Sequence, residues 1–365
     1  MKFLLTELPY DKTDIHSVIN YAKTIEGKSL REVIPADIVE HEYKGKGGLG
    51  QKVEEMFFFI ENNSDALPDL QDLGVEIKTT PLKQIQRGLV SKERLVFSII
   101  NYDEEHSFNF STSTFWKKNN HLLLLFYIHE SEKIDIDYIF KIVRLWRFPP
   151  ADLKIIKDDW TTIVTKIRNG KAHEISEGDT IYLGACTKGA NKESLRKQPF
   201  SEEMAMQRAF SLKSKYLNFI IEKSLIGEEV VFNLEDYLPI LNDNPFGIDD
   251  PYAPYKRINL ADLEPIVKNV KEYSTGETFE QLVTRKFAPY YGKTDIEIIE
   301  KFDLNISSAK SKFHLIAKAI LGISKKKIEE FEKADIEMKT IRLEKTGVLK
   351  ESMSFAQIKF KEIID

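Results

Sequence analysis

The sequence predicts an α/β fold, a mixed β-sheet flanked by helices, followed by a second, degenerate unit of the same kind. Three observations carry this expectation. Short apolar runs with strand character, Val75–Thr79, Leu95–Ile100 and Leu122–Ile128, are interspersed with helical periodicities. The run from Leu122 is continuously apolar, as a central strand covered on both faces would be. Short patterns near residues 50 and 76 return near residues 276 and 337.

Taken in order, residues 10–28 read as a helix, because Ile15, Val18, Ile19, Ala22 and Ile25 recur at spacings of three and four before Gly27. Gly45, Gly47, Gly48 and Gly50 make a loop open to close backbone approach, with Lys44 and Lys46 among them. It is not a nucleotide-binding phosphate loop, since no Gly-Lys-Ser/Thr follows. A helix is expected from Val53 to Ile60 with Glu54 in its first turn, and another over residues 150–168, from Pro150 to the Asn169-Gly170 stop. Glu202–Leu225 reads as a further long helix that Ser211 could interrupt. Prolines, glycine and short polar residues gather between 236 and 256, which sets expected domains at 1–240 and 258–365. A linker and an ordered surface arm both fit that stretch.

The chain has 365 residues, of which 42% are hydrophobic, enough for a substantial core and more than one domain. A net charge of -5 does not by itself suggest a nucleic-acid binder, but its distribution does. Between Cys186 and Lys215 seven Lys/Arg stand against three Glu, a local patch able to meet phosphates. The lone Cys186 rules out an intrachain disulfide and fits a reducing cytoplasm. Neither a signal peptide nor a run long enough to span a membrane is evident, and the seven histidines show no zinc spacing.

Chemistry concentrates in Pro68-Asp69-Leu70-Gln71-Asp72-Leu73-Gly74-Val75-Glu76-Ile77-Lys78-Thr79. Alternation along the strand puts Glu76 and Lys78 on one face and Val75 and Ile77 on the other. Asp69 precedes a turn and can fold back toward Glu76. Two carboxylates, with the backbone carbonyl of Ile77, would supply hard oxygen ligands to Mg²⁺ beside a phosphodiester, and Lys78 would assist a water nucleophile. Taken alone, the pattern also fits a surface strand with an ordinary ion pair.

Lys46-Gly47-Gly48-Leu49-Gly50-Gln51-Lys52-Val53-Glu54, then Asp69 and Gly74-Val75-Glu76-Ile77-Lys78-Thr79, resemble the MutH mismatch-repair endonucleases, a branch of the restriction-endonuclease-like nucleases. A second block agrees: Gly178-Asp179-Thr180-Ile181-Tyr182-Leu183, Thr187-Lys188-Gly189-Ala190-Asn191, Arg196-Lys197-Gln198-Pro199 and Arg208-Ala209-Phe210-Ser211-Leu212-Lys213. This block is most similar to the family's staphylococcal, GATC-cutting type II restriction branch. The resemblance implies a restriction-endonuclease-like (MutH-type) core and Mg²⁺-dependent hydrolysis of double-stranded DNA, with GATC as the expected site. It implies Glu54, Asp69, Glu76 and Lys78 as catalytic residues. Lys46, Gly47, Lys188, Gly189, Asn191, Arg196, Arg208, Ser211 and Lys213 are implied as DNA contacts. The chain departs from the mismatch-repair pattern at Cys186-Thr187 and at Ser211, which points to the restriction branch's way of reading bases. A partner-activated nickase and a non-cleaving DNA-binding regulator are the alternatives.

Farther along, Gly276-Glu277-Thr278-Phe279-Glu280 echoes the segment ending at Glu54. Ala334-Asp335-Ile336-Glu337-Met338-Lys339-Thr340 echoes the Glu76 strand, Glu330 falls where Asp69 would, and Gly347–Glu351 loosely repeats Gly88–Glu93. Residues 280–322 between them read as helical. In the larger enzymes of this kind such a half binds another DNA copy and regulates, so a second DNA copy or self-association through this unit is expected. The sequence runs to Asp365 without a counterpart of the Lys188–Lys213 block, which fits a shortened unit or a fragment.

Overall fold

The computed structural model describes residues 8–34, 48–61, 67–86, 88–189, 191, 193–227, 237–241, 262–304, 306 and 311–341. The chain divides into two units, residues 1–261 with 267–279, and residues 262–266 with 280–365. Lys46, Gly47, Gly347–Glu351 and most of the 236–256 stretch lie outside the described residues.

The first unit is built on a four-stranded mixed sheet in the order β2-β1-β4-β5, formed by Glu76–Ile85 (β1), Gly88–Ser91 (β2), His121–Ile128 (β4) and Phe140–Arg147 (β5). β1 and β4 run parallel, with Glu76 opposite Leu122 and Lys78 opposite Leu124, while β2 and β5 pair antiparallel at the flanks. As the apolar run requires, Leu122 to Phe126 are wholly buried. Leu123 and Leu125 join a core with Val75, Ile77, Val53, Phe57, Val18 and Ala22. Ile15–Lys23 supplies part of that layer, capped by the Asp14 carboxylate, which accepts from the N–H groups of His16 and Ser17. This helix is shorter than its apolar periodicity predicts, and the chain turns away at Gly27 in the left-handed region (φ 79°).

A three-stranded antiparallel sheet, β3-β9-β6, contains Leu95–Ile99 (β3), Leu183–Thr187 (β6) and Arg208–Leu212 (β9). Leu195–Gln198 (β7) and Ser201–Met206 (β8) form a separate hairpin. The helix expected over Glu202–Leu225 is therefore corrected: two strands precede a helix confined to Ser214–Leu225. Ala, Met and Glu favour helix locally, but β9 is clamped between β3 and β6, and that pairing overrides propensity.

Pro150–Arg168 is the helix that the sequence predicts, with Pro in its first turn. It buries Leu153, Ile156, Trp160, Ile163, Val164 and Ile167. Its buried Asp159 accepts from the N–H groups of Ile181, Tyr182 and Leu183 at 2.7, 2.6 and 2.8 Å, fastening the start of β6 to the helix. Burial pushes that carboxyl up to about 7, against the pull of the three donors.

The second unit contains the two-stranded parallel pair Leu263–Glu264 (β10) and Lys327–Ile328 (β11), with helices at Asp295–Lys301, Lys312–Ile320 and Glu329–Ala334. Residues 336–341, where a copy of β1 would start, form no strand. Buried Glu330 accepts from the Ile266 N–H at 2.9 Å. Glu337 is 74% exposed and meets only Lys339, at 2.7 Å, among the contacts resolved for it.

Asp159→Ala would leave three N–H groups, two of them buried, without their acceptor. It is expected to cost about 2–4 kcal/mol, read as a lowered urea midpoint with an unchanged slope. A midpoint within error of the parent's would show that the helix-to-β6 fastening is dispensable.

Candidate active site

Glu76 opens β1 and is 1% exposed, although its face of the strand carries charge. Burying a carboxylate demands compensation. Lys78, two residues along the same face, donates a short hydrogen bond to Glu76 Oε1, and Lys118 Nζ lies 3.7 Å from the same oxygen. Glu76 Oε2 accepts from the Asp69 N–H at 3.1 Å. Asp69 Oδ2 in turn accepts from the Ile77 N–H at 2.9 Å. The turn between them is a single helical turn, Gln71–Leu73, closed by Gly74 at φ 62°, a left-handed backbone that glycine adopts without strain. The fold-back of Asp69 expected from the sequence is thus made through two reciprocal side-chain-to-backbone bonds. In an extended strand the N–H and C=O of one residue face the same edge. The Ile77 carbonyl therefore looks toward Asp69 and away from β4.

Glu54 arrives from the other side. Leu49–Lys52 is a short α-helix that passes into a π-helical turn, Val53–Phe57, instead of the regular helix that the sequence suggests. Such turns displace one residue from the helical repeat and recur at functional positions. The carbonyls of Phe57 and Phe58 accept from the hydroxyls of Tyr21 (2.8 Å) and Tyr10 (2.7 Å). At the near end Lys52 Nζ holds both oxygens of Asp135. Gly50 eases the approach to β1, because a Cβ there would stand 3.1 Å from Thr79 Oγ1, a tight contact.

The three carboxylates share one field. Burial, then the charge of Asp69, raises the Glu54 carboxyl to about 7, opposed by Lys78 and Lys118. Burial also raises Glu76 to about 7, with Lys78 opposing and Asp69 reinforcing. Carboxyls crowded to this degree favour an added cation. The donor set is all oxygen, two or three carboxylates and a carbonyl, which suits a hard divalent ion such as Mg²⁺. Among the described residues no three acidic, His or Cys side chains already form a closed ligand set. Glu76 would have to release Lys78 to present its oxygen.

Sequence reasoning missed Lys118. It sits in the last turn of Thr114–Asn119, a helix capped by Ser113 Oγ, which accepts from the Trp116 N–H at 3.0 Å. That helix feeds directly into β4. Because β4 runs parallel to β1, residues just ahead of Leu122 fall at the Glu76 end. The signal was therefore topological, and a motif search over residues 68–80 could not contain it.

The remaining candidates separate into two groups. Lys188, Gly189, Asn191 and Arg196 are exposed on the loop after β6 and on β7. Gly189 admits no side chain, since a Cβ would lie 2.2 Å from Ser194 Cβ. Asn191 accepts from the Glu193 N–H at 3.0 Å, and Arg196 Nε donates to Gln207 Oε1 at 2.6 Å. The other three face the protein. Arg208 donates to the Ala185 carbonyl at 2.6 Å. Ser211 is fully buried in β9, opposite Gly184, and its hydroxyl has no partner among the described residues. Lys213 donates to the carbonyls of Glu177 (2.8 Å) and Thr180, holding the loop ahead of β6.

The family model described as "DNA mismatch repair enzyme MutH" matches residues 58–159, the stretch that carries Asp69, Glu76, Lys78 and Lys118. The type II restriction enzyme Sau3AI of Staphylococcus aureus is 37% identical over 358 residues, 95% of this chain and 65% of that enzyme. This chain thus spans just under two thirds of that relative's length. The DNA mismatch repair protein MutH of Shewanella baltica (strain OS185) is 24% identical over 220 residues, 58% of this chain and 95% of that protein.

In metal-free protein the folded state holds the Glu54 proton more tightly than the unfolded chain does, because the carboxyl is raised from 4.5 to about 7. Between those values the folded form binds more protons, so stability falls as pH rises through the window and levels off above it. Glu54→Gln carries no such charge and is expected to recover about 1 kcal/mol at pH 8, allowing for partial exposure. Denaturation in EDTA from pH 4.5 to 8.5 reads the difference; parallel curves for parent and variant would refute it.

Proposed function

From membership of the MutH family, to which the chain belongs, we propose that it is a Mg²⁺-dependent type II restriction endonuclease that cuts double-stranded DNA at a short fixed sequence, GATC in the first instance. The observation that carries the reading is the convergence of Asp69, Glu76, Lys78 and Glu54 in one buried field. A surface ion pair would have no reason to bury Glu76 or to fold Asp69 back onto Ile77. The restriction class is favoured over the repair nickase by identity extending along 95% of the chain. The nickase keeps a place as second reading because the family model itself describes a mismatch repair enzyme. A non-cleaving regulator would have no use for the intact acid and lysine set.

Asp69, Glu76 and the Ile77 carbonyl would hold the metal. When bound, the ion would polarise the scissile phosphate and acidify a water. Lys78, freed from Glu76, would hold that water by hydrogen bond and help its deprotonation by offsetting the negative charge left on oxygen as the proton passes to a neighbouring carboxylate. Lys118 would offset negative charge developing on the phosphoryl oxygens. Glu54, with its raised affinity for a proton, is suited to accept one at neutral pH or to support a second ion. Attack at phosphorus would leave a 5′-phosphate and a 3′-hydroxyl. DNA contacts are assigned to Lys46, Gly47 and the exposed set Lys188, Gly189, Asn191 and Arg196. Arg208, Ser211 and Lys213 would act beneath them, shaping the strands that carry the loop. For residues 262–266 and 280–365 we propose a regulatory role, in binding a second DNA copy or in self-association.

Purified protein with Mg²⁺ and a plasmid bearing several GATC sites is expected to yield linear fragments whose sequenced ends share one tetranucleotide. Lys78→Ala should lower the rate at least 10³-fold while the protein still binds duplex. Intact plasmid under every metal and salt condition would remove the restriction reading, and single-strand nicks alone would favour the repair class.

A further inference from the structure

Gln207 joins β8 to β9 and is tied into the loop after β6 from both directions. Its carbonyl accepts from the Lys188 N–H at 2.8 Å, and its N–H donates to the Ser194 carbonyl at 2.9 Å. Residues 188–194 are closed at both ends on this one residue. Its neighbours are anchored as well: the Met206 carbonyl accepts from the Tyr102 hydroxyl at 2.6 Å, and the Arg208 carbonyl from the Ile100 N–H at 2.9 Å. From that fixed base Gln207 Oε1 accepts from Arg196 Nε at 2.6 Å. Gln207 is half-buried and Arg196 exposed. The two Nη nitrogens of Arg196 have no partner among the described residues.

We infer that Arg196, aimed by Gln207, reads a guanine in the major groove of the bound duplex. The inference deepens the DNA-cleavage reading above and rests on it. A cation that only neutralises phosphate needs no fixed plane, and the exposed Lys188 and Lys197 supply such charge already. Arg196 differs from them because its Nε is occupied. What remains is the end of the fork, two co-planar donors pointing outward. Guanine alone offers two acceptors side by side on its major-groove edge, O6 and N7. Adenine offers an acceptor beside a donor, thymine one acceptor beside a methyl, and cytosine a donor. The same hub sets the loop that carries Lys188, Gly189 and Asn191, so base-reading and backbone-contacting groups would share one rigid frame.

The test uses the full chain, a pool of duplexes with randomised sequence, and Ca²⁺ in place of Mg²⁺ so that binding is read without cutting. Retained duplexes are sequenced. The parent should enrich a motif with a guanine at a fixed position. Arg196→Lys, which keeps the charge and loses the fork, should lower discrimination at that position by about 10- to 100-fold and leave the other positions intact. Gln207→Met, which keeps the length of the side chain and loses the amide that accepts from Arg196, should erode the same position by a smaller factor. A motif unchanged in Arg196→Lys, or an equal weakening on every sequence, would overturn the assignment and leave Arg196 a phosphate contact. A parent that enriches no motif and cuts no plasmid would overturn the parent reading, an outcome distinct from the first.

Discussion

A carboxylate that is almost fully buried, and that two lysines must balance, is the constraint on which this site depends. Glu76 lies on the opposite face of β1 from Val75 and Ile77, and those two cannot leave the core without unpacking Val53, Phe57, Leu123 and Leu125. The charge is thus held inside by its neighbours' hydrophobic burial. Lys78 comes from the same strand and Lys118 from the helix ahead of β4, so pairing between β1 and β4 assembles both counter-charges. Asp69 and Glu54 are brought to the same place by independent devices, a glycine-closed turn and a π-helical turn held by two tyrosines. Four local structures converge because each satisfies a different polar demand around one cluster of carboxylates.

The proposed DNA contacts show the same economy in another sheet. Charge alone would favour indiscriminate attachment to phosphate, and a chain with net charge -5 limits that elsewhere on its surface. Along residues 188–213 the basic side chains are sorted by the backbone. Some face outward on a loop fixed at Gln207, whereas Arg208 and Lys213 are turned inward onto carbonyls. Half-buried cations of that second sort set shape, and shape decides where the outward ones stand.

The α/β class with a mixed sheet and flanking helices was legible because period-two alternation around Glu76 and the unbroken apolar run of β4 are strong signals. The Pro150–Arg168 helix was legible from its start and stop residues. Asp69, Glu76 and Lys78 could be grouped because they lie within ten residues of one another, across a single turn. Lys118 could not, since its place depends on which strand pairs with β1 and in which direction. Residues 202–212 were misread because their local preference is helical and only their partners, β7 for β8 and β3 and β6 for β9, make them strands. The burial of Ser211 follows from the same pairing.

The second unit shows why a short motif underdetermines a site. Glu337 and Lys339 repeat the spacing of Glu76 and Lys78, and the ammonium again meets the carboxylate. Glu76 is enclosed, so its pair operates where water screens little, and its carboxyl is pushed up to about 7. Glu337 stands mostly in solvent, where an ion pair is worth little and exerts little field on a third group. Glu330, at the position of Asp69, is occupied in holding the Ile266 N–H of its own unit. Residue type and spacing are shared between the two segments, but enclosure is not. Enclosure raises a carboxyl's need for a cation, so the proposed chemistry is assigned to the Asp69–Lys78 segment rather than to its echo.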